Sequence, residues 1–376
     1  MKNYGRSSIH EFLGDLVVYR NLVPLDARLP DLEAVRQQKD LPNDHIPRKS
    51  TPAYAEVISS ILPEARALES PHAKIQHLIY LGDTRMNDGT AFTNLCRAGG
   101  WRGLAFIAAE RKDPKPAEIV EHADGILYLA DHWGAIFAFD EFLQTQDFPV
   151  DESTTVIVDL DKTALGARGR NDHVIDGARV AAVRRTVDEL LEDSYDPSQF
   201  QAAYDCLNQP KYHPFTTDNQ DYLAYTCLIL SAGLTNLDAL TDELKADPGK
   251  TFPQFMLEVE DRAEQLPAQL RSLHNEVYGY VQEGDPTPFK AFRHNEYLTT
   301  IERMGSLDDR ASASQMLQEE LVITQEVREI VLTWREEGAL LFGLSDKPDE
   351  ASIPDDDLKA KGYRAIHQVE THSIGG

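Results

Sequence analysis

The chain has 376 residues, with 37 basic against 63 acidic side chains and a formal net charge of −26. Hydrophobic residues make up 41% and charged ones 27%, the balance of a folded protein with two domains or one domain carrying a large insertion. So acidic a surface repels nucleic acid and anionic membrane, so a phosphorylated ligand has to meet a local cation or a metal ion.

In chain order, the opening MKNYGRSSIHEF lacks the apolar stretch of a signal peptide. Residues 1–48 are rich in Pro and Asp and show little periodicity beyond a short strand at Leu16–Tyr19. Ser50 or Thr51 caps a helix over 50–68, with Pro52 in its first turn. Apolar runs ending in polar punctuation follow at HLIYLGD (77–83), GLAFIAAE (103–110), GILYLA (125–130) and VIVDLD (156–161). Helices are expected between and after them at 88–98 and 133–145. This alternation predicts an α/β fold built on a parallel sheet. From Leu165 to Ile323 the patterning is amphipathic and helical, with hardly any strand signal. Within it, the uncharged run Tyr222–Leu237 falls short of the ~20 residues needed to span a bilayer and reads as a buried helix. The sheet texture then returns, with a helix at 324–337, a strand at 339–345 and a short last strand at 365–372. Cys96, Cys206 and Cys227 show no CxxC spacing and read as reduced thiols of a cytoplasmic protein.

The sharpest motif is VIVDLDKT, where an apolar strand runs into Asp159-Leu160-Asp161-Lys162-Thr163. Ligands of open parallel sheets bind beyond the carboxyl ends of the strands, where these carboxylates stand. One Asp can attack as a nucleophile while the other moves a proton. Read alone, the pair ends a strand and opens a loop. LIYLGDTRMNDG ends another strand at Gly82-Asp83 and puts Asp88 in the first turn of a helix. Gly82 permits a tight turn, and paired carboxylates suit a hard divalent cation such as Mg²⁺. An Asp-rich turn capping a helix has the same composition. ALLFGLSDKP ends a third strand in Ser345. Lys49 precedes the helix that leads to the Gly82-Asp83 strand, with Lys74 and Lys347 as competing cations. The twelve histidines show no HExxH spacing, which argues against a zinc site.

These segments resemble the four motifs of the haloacid-dehalogenase-like (HAD) phosphohydrolases. DxDxT resembles the first motif, the strand-end Ser345 the second, Lys49 the third and GDxxxxD the fourth. They occur in the order third, fourth, first, second, a cyclic shift of the family's order rather than a scramble. The chain thus resembles a circularly permuted HAD hydrolase. The resemblance implies a Rossmannoid α/β core over 1–163 and 324–376, with an all-helical cap domain at 164–323 inserted after the nucleophile strand. The helix at 133–145 would join the family's last strand to its first, with Trp133, Ile136, Phe137, Phe139, Phe142 and Leu143 facing the sheet. The linker from Ala130 to Val156 is long enough to close within one chain, which is favoured over a swapped dimer; monomer or homodimer stays open.

The resemblance implies a Mg²⁺-dependent phosphatase hydrolysing a phosphate monoester of a small metabolite. Asp159 would be the nucleophile and Asp161 the general acid and base. Ser345 and Lys49 would contact the phosphate. Asp159, Asp161, Asp83 and Asp88 would hold or support the metal. In the helical block, Lys290 and Arg293, grouped with His294 and Arg303, are candidate contacts for an anionic substrate, although a charged helix face is the plainer reading. GARGRND (166–172) suits a hinge or flap over the phosphate. The second Asp argues against dehalogenase chemistry, because a halide needs no proton. A phosphomutase or phosphotransferase sharing the aspartyl-phosphate, and a non-catalytic binding protein on the same fold, are the alternatives.

Overall fold

Leu78–Leu81, Leu104–Ile107, Val156–Val158 and Leu340–Leu344 are almost wholly buried. Continuous apolar runs of this kind suit a parallel sheet covered on both faces. The structure is a computed structural model that describes residues 1–41, 45–192, 196–217 and 219–376. Its strands are β1 (Lys2–Ser7), β2 (Val17–Val18), β3 (His77–Gly82), β4 (Arg102–Ala108), β5 (Glu118–His122), β6 (Gly125–Ala130), β7 (Thr154–Asp159), β8 (Ile323–Thr324), β9 (Leu340–Leu344) and β10 (Thr371–Gly375). Seven of them form one sheet in the order β2-β9-β7-β3-β4-β6-β5. Every neighbouring pair in it is parallel except β5 with β6. The protein is therefore α/β with a mostly parallel seven-stranded sheet.

Side chains alternate between the two faces of a strand, so each face collects its own helices. Leu78, Tyr80, Ala105, Ile107, Ile157, Leu340 and Phe342 share a core with the helices Pro52–Glu69 and Asp88–Gly99. On the other face, Phe106 of β4 meets Trp133 and Phe139, and Phe139 in turn meets Trp334 of the helix Gln325–Glu336. The expected crossover helix is a 3₁₀ turn at Trp133–Ala135 followed by an α-helix at Ile136–Thr145. Trp133, Ile136, Phe139 and Leu143 are buried as expected, but Phe142 is only half-buried and Phe137 is 40% exposed. Phe137 lies one residue beyond Ile136, about 100° around the helix, and so leaves the apolar stripe.

A second, three-stranded sheet in the order β1-β10-β8 joins the ends of the chain. β1 pairs antiparallel with β10, and β10 runs parallel to β8. The strand expected at 365–372 is displaced: Ile366–Gln368 is a 3₁₀ turn, and the strand begins only at Thr371.

The chain divides into two compact units, Met1–Ala178 with Thr300–Gly376, and Arg179–Thr299. Residues 164–178 and 300–323, read from sequence with the helical insertion, thus belong to the sheet-bearing unit. Hydrogen bonds explain this placement. Asn171 Nδ2 donates to the carbonyls of Leu317 at 2.8 Å and Glu320 at 3.0 Å, and its Oδ1 accepts from the amide of Val322 at 3.0 Å. Gly166 N donates to Val322 O at 2.9 Å, and Thr324 N to Ala164 O at 2.9 Å.

The unit Arg179–Thr299 is helical and has its own core, with Phe252 stacked on Tyr222 at 3.9 Å between ring centroids. Among the described residues, no helix is long and apolar enough to cross a membrane.

The burial difference on the crossover helix is testable. Phe139→Ala is expected to destabilise the fold by about 3–5 kcal/mol, as a truncated core aromatic does. Phe137→Ala should stay within about 0.5 kcal/mol of the wild type. Urea denaturation of the two variants checks this, and equal losses would contradict the register of the helix.

Candidate metal and active site

Three parallel neighbours, β9, β7 and β3, end side by side at one edge of the sheet. β7 finishes on Asp159, β3 on Gly82 just before Asp83, and β9 on Leu344 just before Ser345. The helix Asp88–Gly99 begins a short loop after β3 and returns Asp88 to the same edge. Asp83, Asp88 and Asp159 each bring a carboxylate oxygen within 4.8 Å of the others. Strand adjacency thus brings together residues that are far apart in the chain.

Lys49 lies among them. Its Nζ donates to Asp88 Oδ1 at 2.8 Å and to Asp159 Oδ1 at 2.5 Å, with Lys49, Asp88 and Asp159 all nearly excluded from solvent. Lys74 is exposed, and Lys347 is buried just beyond β9. Of the three lysines considered, Lys49 has the geometry of the cation that neutralises a strand-end carboxylate.

Asp88 is saturated. Oδ1 accepts from Lys49 and from Tyr80 OH at 3.0 Å, while Oδ2 accepts from Asp83 N at 3.1 Å, Thr84 N at 2.9 Å and Thr84 Oγ1 at 3.0 Å. It ties the Asp83 loop to its helix and is better suited to hold that loop than to bind an ion. Gly82 is required here, because a Cβ on it would stand 2.6 Å from Asp88 Cβ. Asp159 is held more lightly, by Lys49 on Oδ1 and by Thr163 Oγ1, which donates to Oδ2 at 2.7 Å. Asp83 Oδ2 accepts from Arg168 Nε.

The three carboxylates face two cations, the buried Lys49 and the partly exposed Arg168, so one negative charge is left over. The ionisation of the groups reflects this excess. Burial, and then the charge of Asp88, pushes Asp83 up to about 7, with Arg168 opposing. Burial likewise pushes Asp159 well above the usual carboxylate range against the pull of Lys49. At Asp88 burial is overcome by Lys49 and by hydrogen bonds, and the group stays well below that range. Burial also works against the Lys49 ammonium, but Asp159 and Asp88 outweigh it and keep Lys49 charged. The oxygen-only donor set and its surplus negative charge fit a hard divalent cation, with Asp83 and Asp159 as the available ligands.

Asp161 is half-buried and lies outside the triad; among the described residues its carboxylate has no hydrogen bond or ion pair. Ser345 is buried next to β7, and its Oγ accepts from Lys347 N at 3.1 Å. The segment 166–172 is pinned rather than hinged. Arg168 O accepts from Glu110 N at 2.8 Å and Trp133 Nε1 at 3.2 Å, and Arg170 pairs with Glu326 at 2.8 Å and Glu110 at 2.9 Å. Gly169, at φ +77°, would place a Cβ 2.1 Å from Glu110 O, so the glycine permits close approach rather than motion.

The two candidates from the helical unit have other roles. Arg293 is buried, with Nε donating to Asp221 Oδ2 at 2.8 Å and Nη1 to Glu296 Oε2 at 2.5 Å. It cross-links the helical core instead of offering a free guanidinium. Lys290 is paired with Asp285 at 2.8 Å and lies over the ring of Tyr280.

Sequence reasoning left Tyr80, Thr84 and Arg168 unassigned. Thr163 and Arg168 stood inside the quoted DLDKT and GARGRND segments, so a signal existed for both. No family model, curated protein or solved structure matches the chain.

Removing Lys49 would leave two buried carboxylates facing each other. Lys49→Met is therefore expected to cost about 3–5 kcal/mol, the range for breaking a buried ion pair from one side. Urea unfolding measures the loss, and the double variant Lys49→Met/Asp159→Asn should recover part of it.

Proposed function

We propose that the protein is a Mg²⁺-dependent phosphohydrolase, a circularly permuted relative of the HAD enzymes, acting on a phosphate monoester of a small metabolite. The reading is carried by one observation: Asp83, Asp88 and Asp159 meet within 4.8 Å with Lys49 between two of them. It is supported by the adjacency of β9, β7 and β3, which gives a cyclically shifted chain the strand neighbours that the unshifted motif order would need. The helical unit Arg179–Thr299 falls in the chain between Asp159 and Ser345, where the resemblance puts a cap. The chain's three cysteines, Cys96, Cys206 and Cys227, are unpaired and fit a reducing, cytoplasmic setting.

In this reading Asp159 attacks the phosphorus and forms an aspartyl-phosphate while the ester oxygen leaves. Asp161, whose carboxylate is otherwise uncommitted, protonates that oxygen. It then takes a proton from water as the water attacks the phosphorus, releasing inorganic phosphate and restoring Asp159. Thr163 and Lys49 hold the Asp159 carboxylate in one orientation. Lys49 offsets its charge as the phosphate dianion approaches, and Ser345 stands ready to donate to a phosphoryl oxygen. Asp83 and Asp159 would hold the Mg²⁺, which supplies charge stabilisation for the transferring phosphoryl group. Asp88 and Arg168 keep Asp83 in place.

Turnover of p-nitrophenyl phosphate tests this. Activity is expected to vanish with EDTA and return with Mg²⁺. Asp159→Asn should abolish turnover, and Asp161→Asn should lower kcat about 10²–10⁴-fold, the usual contribution of general acid–base catalysis. Undiminished hydrolysis in chelator, or wild-type activity in both variants, would refute the assignment. A folded protein with no turnover and no Mg²⁺-dependent thermal shift would point to a binding protein.

A further inference from the structure

A cavity of about 790 Å³ has Asp83 in its wall. That volume lies within the roughly 300–1,000 Å³ of small-molecule sites. Ala108, from the end of β4, and Ala130, from the end of β6, line it with methyl groups and leave room above the strand ends. The cavity thus adjoins the carboxylate triad at the edge where open parallel sheets take their ligands.

Its charged lining is unusual for this chain. Arg85, Arg111, Lys112 and Lys115 all line the cavity, although acids outnumber bases 63 to 37 in the sequence. Arg111 is paired with Asp131 at 2.8 Å. Arg85, Lys112 and Lys115 are exposed, and among the described residues their side chains have no ion pair or hydrogen bond. Of the cavity's acids, Asp83 is held by Arg168 and Asp131 by Arg111, which leaves Asp113 and Glu118. Free cations therefore exceed free carboxylates here, the reverse of the chain as a whole. The loop that carries Lys112 and Lys115 is also tethered: Arg111 N donates to Asp131 O at 2.9 Å and Lys115 N to Asp131 Oδ2 at 3.2 Å. Among the described residues no side chain or carbonyl pairs with these cations, yet the backbone of the loop carrying Lys112 and Lys115 is held at the cavity wall.

We propose that this cavity receives the part of the substrate remote from the scissile phosphate, and that this part bears a second anionic group, a phosphate or a carboxylate, met by Lys112, Lys115 and Arg85. The proposal rests on the phosphohydrolase reading and narrows it to esters with two anionic ends. The three cations are solvent-exposed, so their attraction is modest and screened by salt. It acts on binding and therefore on KM more than on kcat.

Steady-state kinetics with Mg²⁺ at low salt test this on two matched pairs, fructose 6-phosphate with fructose 1,6-bisphosphate and glycerol 3-phosphate with 3-phosphoglycerate. p-Nitrophenyl phosphate serves as the reference for the chemistry itself. The doubly anionic member of at least one pair is expected to show about tenfold higher kcat/KM, chiefly through KM, the size that two exposed charge pairs can supply; which pair does so separates phosphate from carboxylate. That advantage should collapse in Lys112→Ala/Lys115→Ala and persist in Lys112→Arg/Lys115→Arg. Turnover without such an advantage, or an advantage that survives the alanine variant, overturns the cavity assignment and leaves the hydrolase reading standing. No turnover of any of the five esters overturns the hydrolase reading and this inference with it.

Discussion

Lys49 reaches Asp88 at 2.8 Å and Asp159 at 2.5 Å in a place nearly closed to solvent, and the remaining geometry of the carboxylate edge depends on that ammonium. Buried carboxylates that face each other without a cation are costly, because neither water nor a second partner lowers their repulsion. Lys49 draws together a helix start that precedes β3 in the chain and a strand end that follows the crossover. Asp88 then fixes the loop that carries Asp83, through bonds to the amides of Asp83 and Thr84. The cost of collecting three acids is thus offset within the fold, apart from one residual charge. That residual negative charge is what would let the edge hold a cation beyond its own ion pairs.

The legible part of the fold is the part with one kind of surroundings. β3, β4, β7 and β9 are buried on both faces, so they appear as unbroken apolar runs. β5 is an exposed edge strand, Glu118-Ile-Val-Glu-His122, and its composition matches a loop. β10 is buried but polar, Thr371-His-Ser-Ile-Gly375, because its side chains bond to partners far away in the chain: His372 Nδ1 lies 2.8 Å from Glu320 Oε1, and Ser373 Oγ donates to Gln325 Oε1 at 2.7 Å. Such a strand has no periodic signature. β8 spans two residues and is defined only by its pairing.

The same distinction divides the candidate site. Asp83, Asp88, Asp159 and Lys49 were legible because their spacing and cyclic order resemble a set of known motifs; singly, an acid at a strand end or helix cap is common. Tyr80 was not, since a tyrosine inside an apolar strand reads as core, and only the fold turns its hydroxyl toward Asp88. Arg293 misled for the opposite reason. A basic residue on an amphipathic helix reads as solvent-facing, but its partner Asp221 lies 72 positions away and draws it into the helical core. Charge in a sequence shows that a partner is needed, and it does not show where the partner is.

Chain order constrains this site less than strand adjacency does. Parallel neighbours β9, β7 and β3 place Ser345, Asp159 and Asp83 on one edge whichever of them comes first, provided that the connections are long enough to cross the sheet. Each interruption of the core is closed by hydrogen bonds that leave the edge undisturbed. At the chain ends, β1 pairs with β10, so Lys2 lies opposite Gly375. Within the sheet-bearing unit, between the segment that follows β7 and the segment that precedes β9, Thr324 Oγ1 donates to Thr163 O at 2.5 Å, and the side chain of that same Thr163 orients Asp159. The two segments are thus joined beside the candidate nucleophile, before the chain reaches the helical unit at Arg179 and after it has left that unit at Thr299. The helical unit that lies in the chain between β7 and β9 is compatible with this carboxylate geometry, because the contacts that set it are made at the strand ends.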